Sequence, residues 1–295
     1  LTSGTTYYIN SYAINSEGTS YGVATSFTTS APTVTLGLSG NLLAENGGVA
    51  TITATLNAAS SQTVTVTIDP SGTATGSGVD YTLSSSTITI NAGATTGTAT
   101  ITATDDTLDE DLETVIIDIT GVTNGTESGT QQITASIMDN DDAPSVTLGI
   151  SGSPLAENGG VATITATLSA ASGKTVTVTI DPSGTATGSG FDYTLSSSTI
   201  TINAGATTGT ATITGADDAL DESAETVIID ITGVTNGTES GTQQVTATIT
   251  DDDAPPSVTL SLSGSPLAEN GGVATITASL NAASSQTVTV TIDPS

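Results

Sequence analysis

Apolar and polar residues alternate in short runs along most of this chain. A period of two places successive side chains on opposite faces of a strand. Clusters of Gly, Asn and Ser, such as "NAGATTG" and "TNGTESG", separate the runs as turns separate strands. Seven runs follow residue 32, namely Val34–Leu38, Ala50–Leu56, Val64–Ile68, Ile88–Ile90, Ala99–Ala103, Val115–Ile119 and Ile133–Ile137. They predict an all-β fold, an antiparallel β-sandwich of about seven strands.

The same pattern recurs along the chain at a fixed spacing. The stretch "LAENGGVATITA" begins at Leu43, Leu155 and Leu267, which are 112 residues apart. Between residues 33–144 and 145–256, 93 of 112 aligned positions are identical. This period is that of a whole domain and is too long for a solenoid turn. We therefore predict tandem sandwiches at residues 32–142 (repeat 1) and 144–253 (repeat 2), with the N-terminal part of a third at 256–295 (repeat 3).

The first thirty residues have a different character. They contain five of the eight aromatic side chains, Tyr7, Tyr8, Tyr12, Tyr21 and Phe27. The stretch "LTSGTTYYINSYAINSEGTSYGVATSFTT" resembles the last two strands of a fibronectin type III domain, whose penultimate strand opens with Leu-x-x-Gly-Thr-x-Tyr-Tyr. We interpret residues 1–30 as the C-terminal strands of such a domain, present here incompletely. Because the chain begins at Leu1 and shows no signal peptide, we expect it to be part of a longer protein.

Composition excludes several classes of function. The formal net charge is −29, with a single basic side chain, Lys174, so nucleic acid is not an expected partner. The chain has no Cys and no His, which removes disulfides, thiolate metal sites and the usual general base of hydrolases. No run of about 18 apolar residues occurs, so we expect no direct membrane insertion. We predict that this chain is not an enzyme.

The chain has 30 acidic side chains and one basic side chain, so salt bridges cannot neutralise the carboxylates. In "TDDTLDEDLET", residues 104–114, six carboxylates occur together. Because antiparallel strands alternate in direction, this segment, Glu45, Asp80 and residues 139–142 should all lie at one pole of the sandwich. Unpaired charges about 4 Å apart repel one another by about 1 kcal/mol in water, and by more near a protein surface. Hard divalent cations reverse this effect, and Ca²⁺ takes 6–8 oxygen ligands. The alternative to a cation site is an acidic loop that is simply solvated.

The repeats resemble Calx-β domains, through the motifs "LAENGG", "GTATGSGVDY", "INAGATTGTATIT", "DDTLDEDLETVIIDI" and "IMDNDD". The resemblance implies an immunoglobulin-like sandwich that binds several Ca²⁺ ions per complete repeat at its distal loops. The ligands it implies in repeat 1 are Glu45, Asp80, Asp105, Asp106, Glu110, Glu113, Asp139 and Asp141. In repeat 2 they are Glu157, Asp192, Asp217, Asp218, Glu222, Glu225, Asp251, Asp252 and Asp253, and in repeat 3 Glu269. Asp111 and Asp142 are interpreted as peripheral, and the role of Asp109 stays open.

These observations favour a non-catalytic, calcium-rigidified stalk of an extracellular bacterial adhesin or surface filament. Its expected partners are neighbouring repeats of the same chain. An adhesion ligand, or surface or secretion machinery, would bind through other parts of the protein. One alternative is a Ca²⁺-sensing regulatory module of a membrane protein, which would need near-micromolar affinity. A second is a set of accessory modules of a secreted enzyme.

Overall fold

The computed structural model describes residue 1 and residues 5–293 of the chain. These form two compact units, Leu1–Asp142 and Ala143–Ser295. Every regular element in the described part is a β-strand, and no helix there is long and apolar enough to cross a membrane. The predicted domains at residues 1–30 and 256–295 include residues 2–4 and 294–295, which lie outside the described residues.

The first unit begins with two small antiparallel pairs and continues into a sandwich. The pairs are β1 (Thr6–Ile9) with β4 (Thr25–Thr28), and β2 (Tyr12–Asn15) with β3 (Gly18–Tyr21). The sandwich strands are β5 (Thr33–Ser39), β6 (Leu42–Ala44), β7 (Val49–Leu56), β8 (Val64–Gly72), β9 (Tyr81–Leu83), β10 (Thr87–Ile90), β11 (Thr96–Ala103), β12 (Glu113–Thr123), β13 (Thr126–Glu127) and β14 (Gln132–Met138). They form two five-stranded sheets with the orders β10-β8-β12-β14-β6 and β13-β5-β7-β11-β9.

The second unit repeats the sandwich and ends in one further strand pair. Its strands are β15 (Ser145–Ser151), β16 (Leu155–Ala156), β17 (Val161–Leu168), β18 (Val176–Gly184), β19 (Tyr193–Leu195), β20 (Thr199–Ile202), β21 (Thr208–Gly215), β22 (Glu225–Thr235), β23 (Thr238–Glu239), β24 (Gln244–Thr250), β25 (Val258–Ser263) and β26 (Thr275–Leu280). The sheet orders are β19-β21-β17-β15-β23 and β16-β24-β22-β18-β20, and β25 pairs with β26.

Aliphatic side chains that alternate along the strands fill the space between the sheets. Ile52, Ile101 and Ile117 of repeat 1 and Ile164 and Ile213 of repeat 2 have no exposed surface. Threonines between such positions are half-buried or exposed, so they form the outer faces. Burial of each large aliphatic side chain stabilises the fold by about 1.5–3 kcal/mol. The core therefore forms from Ile, Val, Leu and Ala with very few aromatic residues.

The predicted all-β tandem sandwich is confirmed. The seven predicted runs of repeat 1 correspond to β5, β7, β8, β10, β11, β12 and β14. Three further strands, β6, β9 and β13, are only two or three residues long. Because alternation over so few residues cannot be distinguished from a loop, the sequence pattern did not show them.

Candidate metal centre

Pairing of strand ends brings the carboxylates of repeat 1 together. Ala44 at the end of β6 lies beside Met138 at the end of β14, so the residues that follow, Glu45 and Asp139, leave the same sheet edge. Glu113, the first residue of β12, pairs with Ile137. In the other sheet the start of β9 pairs with the end of β11, which places Asp80 near the loop that follows β11. We call this loop, residues 104–112, and its equivalent in repeat 2, residues 216–224, the acidic loops.

The "ENGG" turn places Glu45 inside the molecule. Gly47 has φ of +92°, a conformation that glycine adopts without steric cost. The Gly48 amide donates to the Ala44 carbonyl at 2.8 Å, and a Cβ at Gly48 would lie 2.5 Å from that oxygen. The two glycines therefore allow a tight turn that folds the Glu45 carboxylate inward, where it is only 5 % exposed. Glu157 in the matching turn of repeat 2 is 4 % exposed.

In repeat 1 seven of the eight predicted ligands form three overlapping groups. In each group the carboxylate oxygens lie within 4.8 Å of one another, and two oxygens bound to one Ca²⁺ lie at most about 5 Å apart. The groups are Glu45–Asp106–Glu110, Glu45–Asp139–Asp141 and Asp80–Glu110–Glu113. Glu45 and Glu110 each belong to two groups, so these clusters are continuous and could share bridging carboxylates.

Repeat 2 has two such groups among its described residues, Glu157–Asp218–Asp253 and Asp192–Glu222–Glu225. The first combines the "ENGG" turn, the acidic loop and the segment after β24. The second reproduces the Asp80–Glu110–Glu113 group at the 112-residue spacing. The two repeats therefore build the same kind of site with a small difference in the positions of the side chains.

Backbone amides hold several of these carboxylates in place. The amide of Thr75 donates to the Asp80 carboxylate, and the amide of Asp80 donates to the Thr75 carbonyl at 3.0 Å. The amide of Leu108 donates to Asp106 at 2.7 Å. In repeat 2 the amide of Asp218 donates to Glu157 at 3.1 Å. These bonds fix the carboxylates but supply no positive charge.

The electrostatics of the clusters oppose ionisation. Burial raises the pKa of Glu113 to about 7, with further contributions from the Asp80 charge and from a hydrogen bond with the Asp80 side chain. Burial raises the pKa of Glu225 to about 7 as well, again with a hydrogen bond to a neighbouring aspartate, Asp192. Burial also raises the pKa of Glu157 to about 7, and the donated Asp218 amide only partly offsets this. Protons or cations must therefore compensate these groups.

Two carboxylate oxygens are buried without compensation. Oδ2 of Asp141 and Oδ1 of Asp251 are inaccessible to solvent and find no hydrogen-bond partner among the residues that the structure describes. A buried, unsatisfied acceptor is costly, and a bound cation removes that cost. A small cavity of about 10 Å³, the size of one water molecule or ion, is lined by Glu45, Asp80, Glu110 and Glu113 among others.

Five predicted ligands lie outside the groups of close oxygens. Asp105 accepts a hydrogen bond from the Asn140 side chain at 3.4 Å, and Asp252 accepts one from Asn158 at 2.6 Å. Burial raises the pKa of Asp253, and the nearby charges of Asp251 and Asp217 raise it further. Glu269 is exposed in repeat 3 and joins no group among the described residues.

Three acidic residues have places that sequence reasoning did not assign. Asp109 and Asp221, at equivalent positions in the two acidic loops, are only 6 % and 8 % exposed. They are in none of the cation-type groups of the described residues. Asp111, interpreted as peripheral, lines the same small cavity as Glu45 and Asp80. No pattern in a run of six carboxylates distinguishes these residues from the others.

Such an all-oxygen cluster suits a hard divalent cation, and the most suitable is Ca²⁺. The oxygens come from carboxylates on four separate segments, with no nitrogen or sulfur ligand among them. Ca²⁺ accepts 6–8 oxygens in flexible geometry, whereas Mg²⁺ requires near-octahedral, water-rich sites. Fold and site together define a class of protein, the tandem β-sandwich with a carboxylate-rich end.

Comparison with protein families names that class more closely. The Calx-beta domain profile matches residues 29–141 and 139–253, which together span most of the chain. The chain therefore belongs to the Calx-beta domain family and carries two such domains in tandem. Calx-beta domains are non-catalytic binding modules, and members of the family bind Ca²⁺. No curated protein sequence matches the chain.

Several solved structures align with the chain at low similarity. CBD12 from CALX1.2 is 12 % identical, with 74 % of this chain and 99 % of that chain covered and a TM-score of 0.34. The calcium binding domain CBD12 of CALX1.1 is 16 % identical, with 65 % and 77 % covered and a TM-score of 0.31. A Salmonella alpha-2-macroglobulin is 11 % identical, with 86 % and 19 % covered and a TM-score of 0.26. These values are too low to transfer a function.

Proposed function

We propose that the chain is part of a non-catalytic, calcium-rigidified stalk of an extracellular protein at a bacterial cell surface, such as an adhesin or a surface filament. The observation that carries this proposal is the convergence of seven close carboxylates at one end of repeat 1, in a chain with a single basic side chain. The carboxylates at this end repel one another when no metal is bound. Bound Ca²⁺ removes the repulsion and joins four segments of the chain.

We propose an extracellular location because the expected calcium affinity suits it. Extracellular calcium modules work with Kd values of about 10⁻⁴–10⁻³ M. Sites of that affinity stay loaded only where calcium is millimolar, which is the case outside cells. The repetition of almost identical domains suits a spacer, because each copy adds length without adding a new binding specificity.

The spacing between the repeats supports rigidification. Only Ala143 and Pro144 separate Asp142 from the first residue of β15, Ser145. In repeat 2 the segment Ala254-Pro255-Pro256 follows the last aspartate. Proline restricts the backbone of a short connection and of the residue before it. A cation bound by residues 139–141 therefore orders the chain immediately before the connection.

Thermal unfolding and small-angle scattering test the proposal on the whole chain. We expect millimolar CaCl₂ to raise the melting temperature and to lengthen and narrow the distance distribution, relative to EGTA. A ligand at a hundredfold excess over its Kd stabilises by about 2.7 kcal/mol. Equal concentrations of MgCl₂ should have a much smaller effect. Identical melting temperature and scattering in CaCl₂ and EGTA would contradict the proposal.

A matched variant separates specific binding from charge screening. The double variant E45Q/E157Q removes the buried glutamate of both "ENGG" turns, while E17Q removes an exposed glutamate outside the clusters. We expect the calcium response to be lost in the first and kept in the second. Calorimetric titration adds the affinity: sub-millimolar to millimolar binding agrees with a stalk, whereas stepwise, near-micromolar binding would favour a calcium sensor.

A further inference from the structure

The acidic loop of repeat 2 has a contact that metal binding does not explain. Asp221 is 8 % exposed, although the residue after next in the same loop, Ser223, is exposed. Its carboxylate joins neither group of close oxygens in the described part of repeat 2. It faces the turn between β26 and the end of the described chain. We call this turn, residues 281–286 of repeat 3, the serine turn.

Hydrogen bonds connect Asp221 with the serine turn. The Ser284 hydroxyl lies 2.8 Å from Oδ2 of Asp221, to which it donates. The Ser285 amide donates to the Asp221 carbonyl at 3.1 Å, and the Ser285 hydroxyl lies 3.3 Å from the same oxygen. The backbones of Asp221 and Ser284 form an isolated parallel β-bridge. Both the side chain and the main chain of Asp221 therefore accept hydrogen bonds from repeat 3.

A hydrogen bond within the serine turn orients the Ser284 hydroxyl toward Asp221. The amide of Gln286 donates to the Ser284 hydroxyl at 3.0 Å, so that the hydroxyl hydrogen is directed elsewhere, toward Asp221. A buried carboxylate requires donors, and hydrogen bonds to a charged group are worth about 1.5–3 kcal/mol. In a chain with one basic side chain, neutral hydroxyls and amides are the donors that remain. The serine turn supplies both kinds.

The residue types of this contact recur at the 112-residue spacing. Asp109 is the equivalent of Asp221, and Ser60 and Ser172 are the equivalents of Ser284. Ser285 is replaced by Gly173 in repeat 2, so its hydroxyl is not retained, whereas its amide is. The exposed fraction of Asp109 is 6 %.

We propose that Asp221 is a docking residue, through which the acidic loop of repeat 2 binds the serine turn of the following copy of the chain. This role is distinct from metal coordination. It also explains why one buried aspartate of the loop stands apart from the carboxylate groups. Glu222, its neighbour, lines one surface depression together with Ser285 and belongs to the Asp192–Glu222–Glu225 group. Docking and the metal cluster therefore occupy adjacent residues of one loop.

Hydrogen–deuterium exchange of the whole chain tests the docking. In EGTA, where no cation contributes, we expect the peptide that contains Ser285 to be protected in the wild-type protein. The variants D221A and S284A should each increase exchange at Ser285 by about tenfold, the effect of losing one hydrogen bond to a charged group. The double variant should exchange no faster than the faster single variant, because the two residues act through one contact.

Controls separate docking from folding. The variant S223A changes an exposed serine of the same loop and should leave exchange at Ser285 unaltered. Peptides from β22 should stay protected in all variants, and S284A is informative even if D221A unfolds repeat 2, since Ser284 lies outside that repeat. Wild-type exchange at Ser285 as fast as in an unfolded peptide, or equal protection in wild type and S284A, would overturn the proposal. Because the test is done without calcium, its result is independent of the stalk function.

Discussion

The side chains of Glu113 and Asp80 are hydrogen-bonded to each other, although one begins β12 and the other precedes β9. Two carboxyl groups can form such a bond only when one of them carries a proton. Glu225 and Asp192 repeat the arrangement in the second domain. With a pKa raised to about 7, Glu113 and Glu225 take up a proton near neutral pH, at the place where the calcium-loaded protein would have a cation.

Metal-free stability should therefore decrease as the pH rises. The pKa of Glu113, Glu157 and Glu225 is raised to about 7 in the folded protein from an ordinary value of 4.5. A group whose folded pKa is raised contributes stability that is complete below the unfolded pKa and is lost as the pH rises through the folded pKa. We expect urea unfolding in EGTA to give a lower free energy of unfolding at pH 8 than at pH 5.

The variant E113Q/E225Q tests the assignment of this pH dependence. Glutamine keeps a similar size and does not titrate, so the decrease between pH 5 and pH 8 should become shallower. E17Q, an exposed glutamate outside the clusters, should leave the slope unchanged. A wild-type protein that is more stable at pH 8 than at pH 5 in EGTA would refute the assignment.

Calcium binding near neutral pH should release protons. A metal ligand must be deprotonated, and the glutamates with a pKa of about 7 are partly protonated at pH 6.5. Calorimetric titration at this pH in two buffers of different ionisation enthalpy should give different apparent binding enthalpies. At pH 8.5 the difference should nearly vanish. Equal enthalpies in the two buffers at pH 6.5 would show that no proton leaves.

Glu45 should matter more for calcium binding than Asp80. Glu45 belongs to two of the close oxygen groups of repeat 1, and Asp80 belongs to one. We expect E45Q to remove more bound calcium than D80N, measured as the number of ions per chain by calorimetry. Repeat 2 serves as the internal reference, since neither substitution touches it. Equal losses of bound calcium in the two variants would contradict the inference that Glu45 serves two oxygen groups.

The "ENGG" turn should tolerate no side chain at Gly48. A Cβ there would lie 2.5 Å from the Ala44 carbonyl oxygen, so G48A must displace the turn that carries Glu45. We expect a loss of stability of about 1–3 kcal/mol by denaturant unfolding, together with weaker calcium binding. G37A is the matched control, because its Cβ would lie an ordinary 3.9 Å from the Thr53 carbonyl oxygen. Similar behaviour of the two variants would exclude this steric explanation.

The fold could be predicted from the sequence because two independent regularities indicate it. Alternation such as Ala50, Ile52 and Ala54 fixes which face of a strand is buried, and the 112-residue repeat fixes the domain length. The bulk of each sandwich follows from these two regularities. Short strands such as β6 contain too few residues for alternation to show, and they form only because β14 offers a free edge for pairing.

The candidate site was harder to predict in detail. Strand alternation places whole loops at one end of a domain, and the structure brings Glu45, Asp80 and the acidic loop together there. Strand alternation does not determine which side chain of a loop points inward. Asp109 and Asp221 have neighbours as acidic as themselves, and their burial depends on packing that only coordinates show. Whether the predicted ligands bind calcium stays a prediction for the titrations above.

The parallel pairing of β6 with β14 has a mechanical consequence. The chain enters repeat 1 at the start of β5 and leaves at the end of β14, which lies beside the end of β6. When the two ends of a repeat are pulled apart, these hydrogen bonds are loaded in shear, so that several must break together. A cation between Glu45 and Asp139 would clamp both strands at the point where tension leaves the domain. Calcium concentration would then set the force that such a chain withstands.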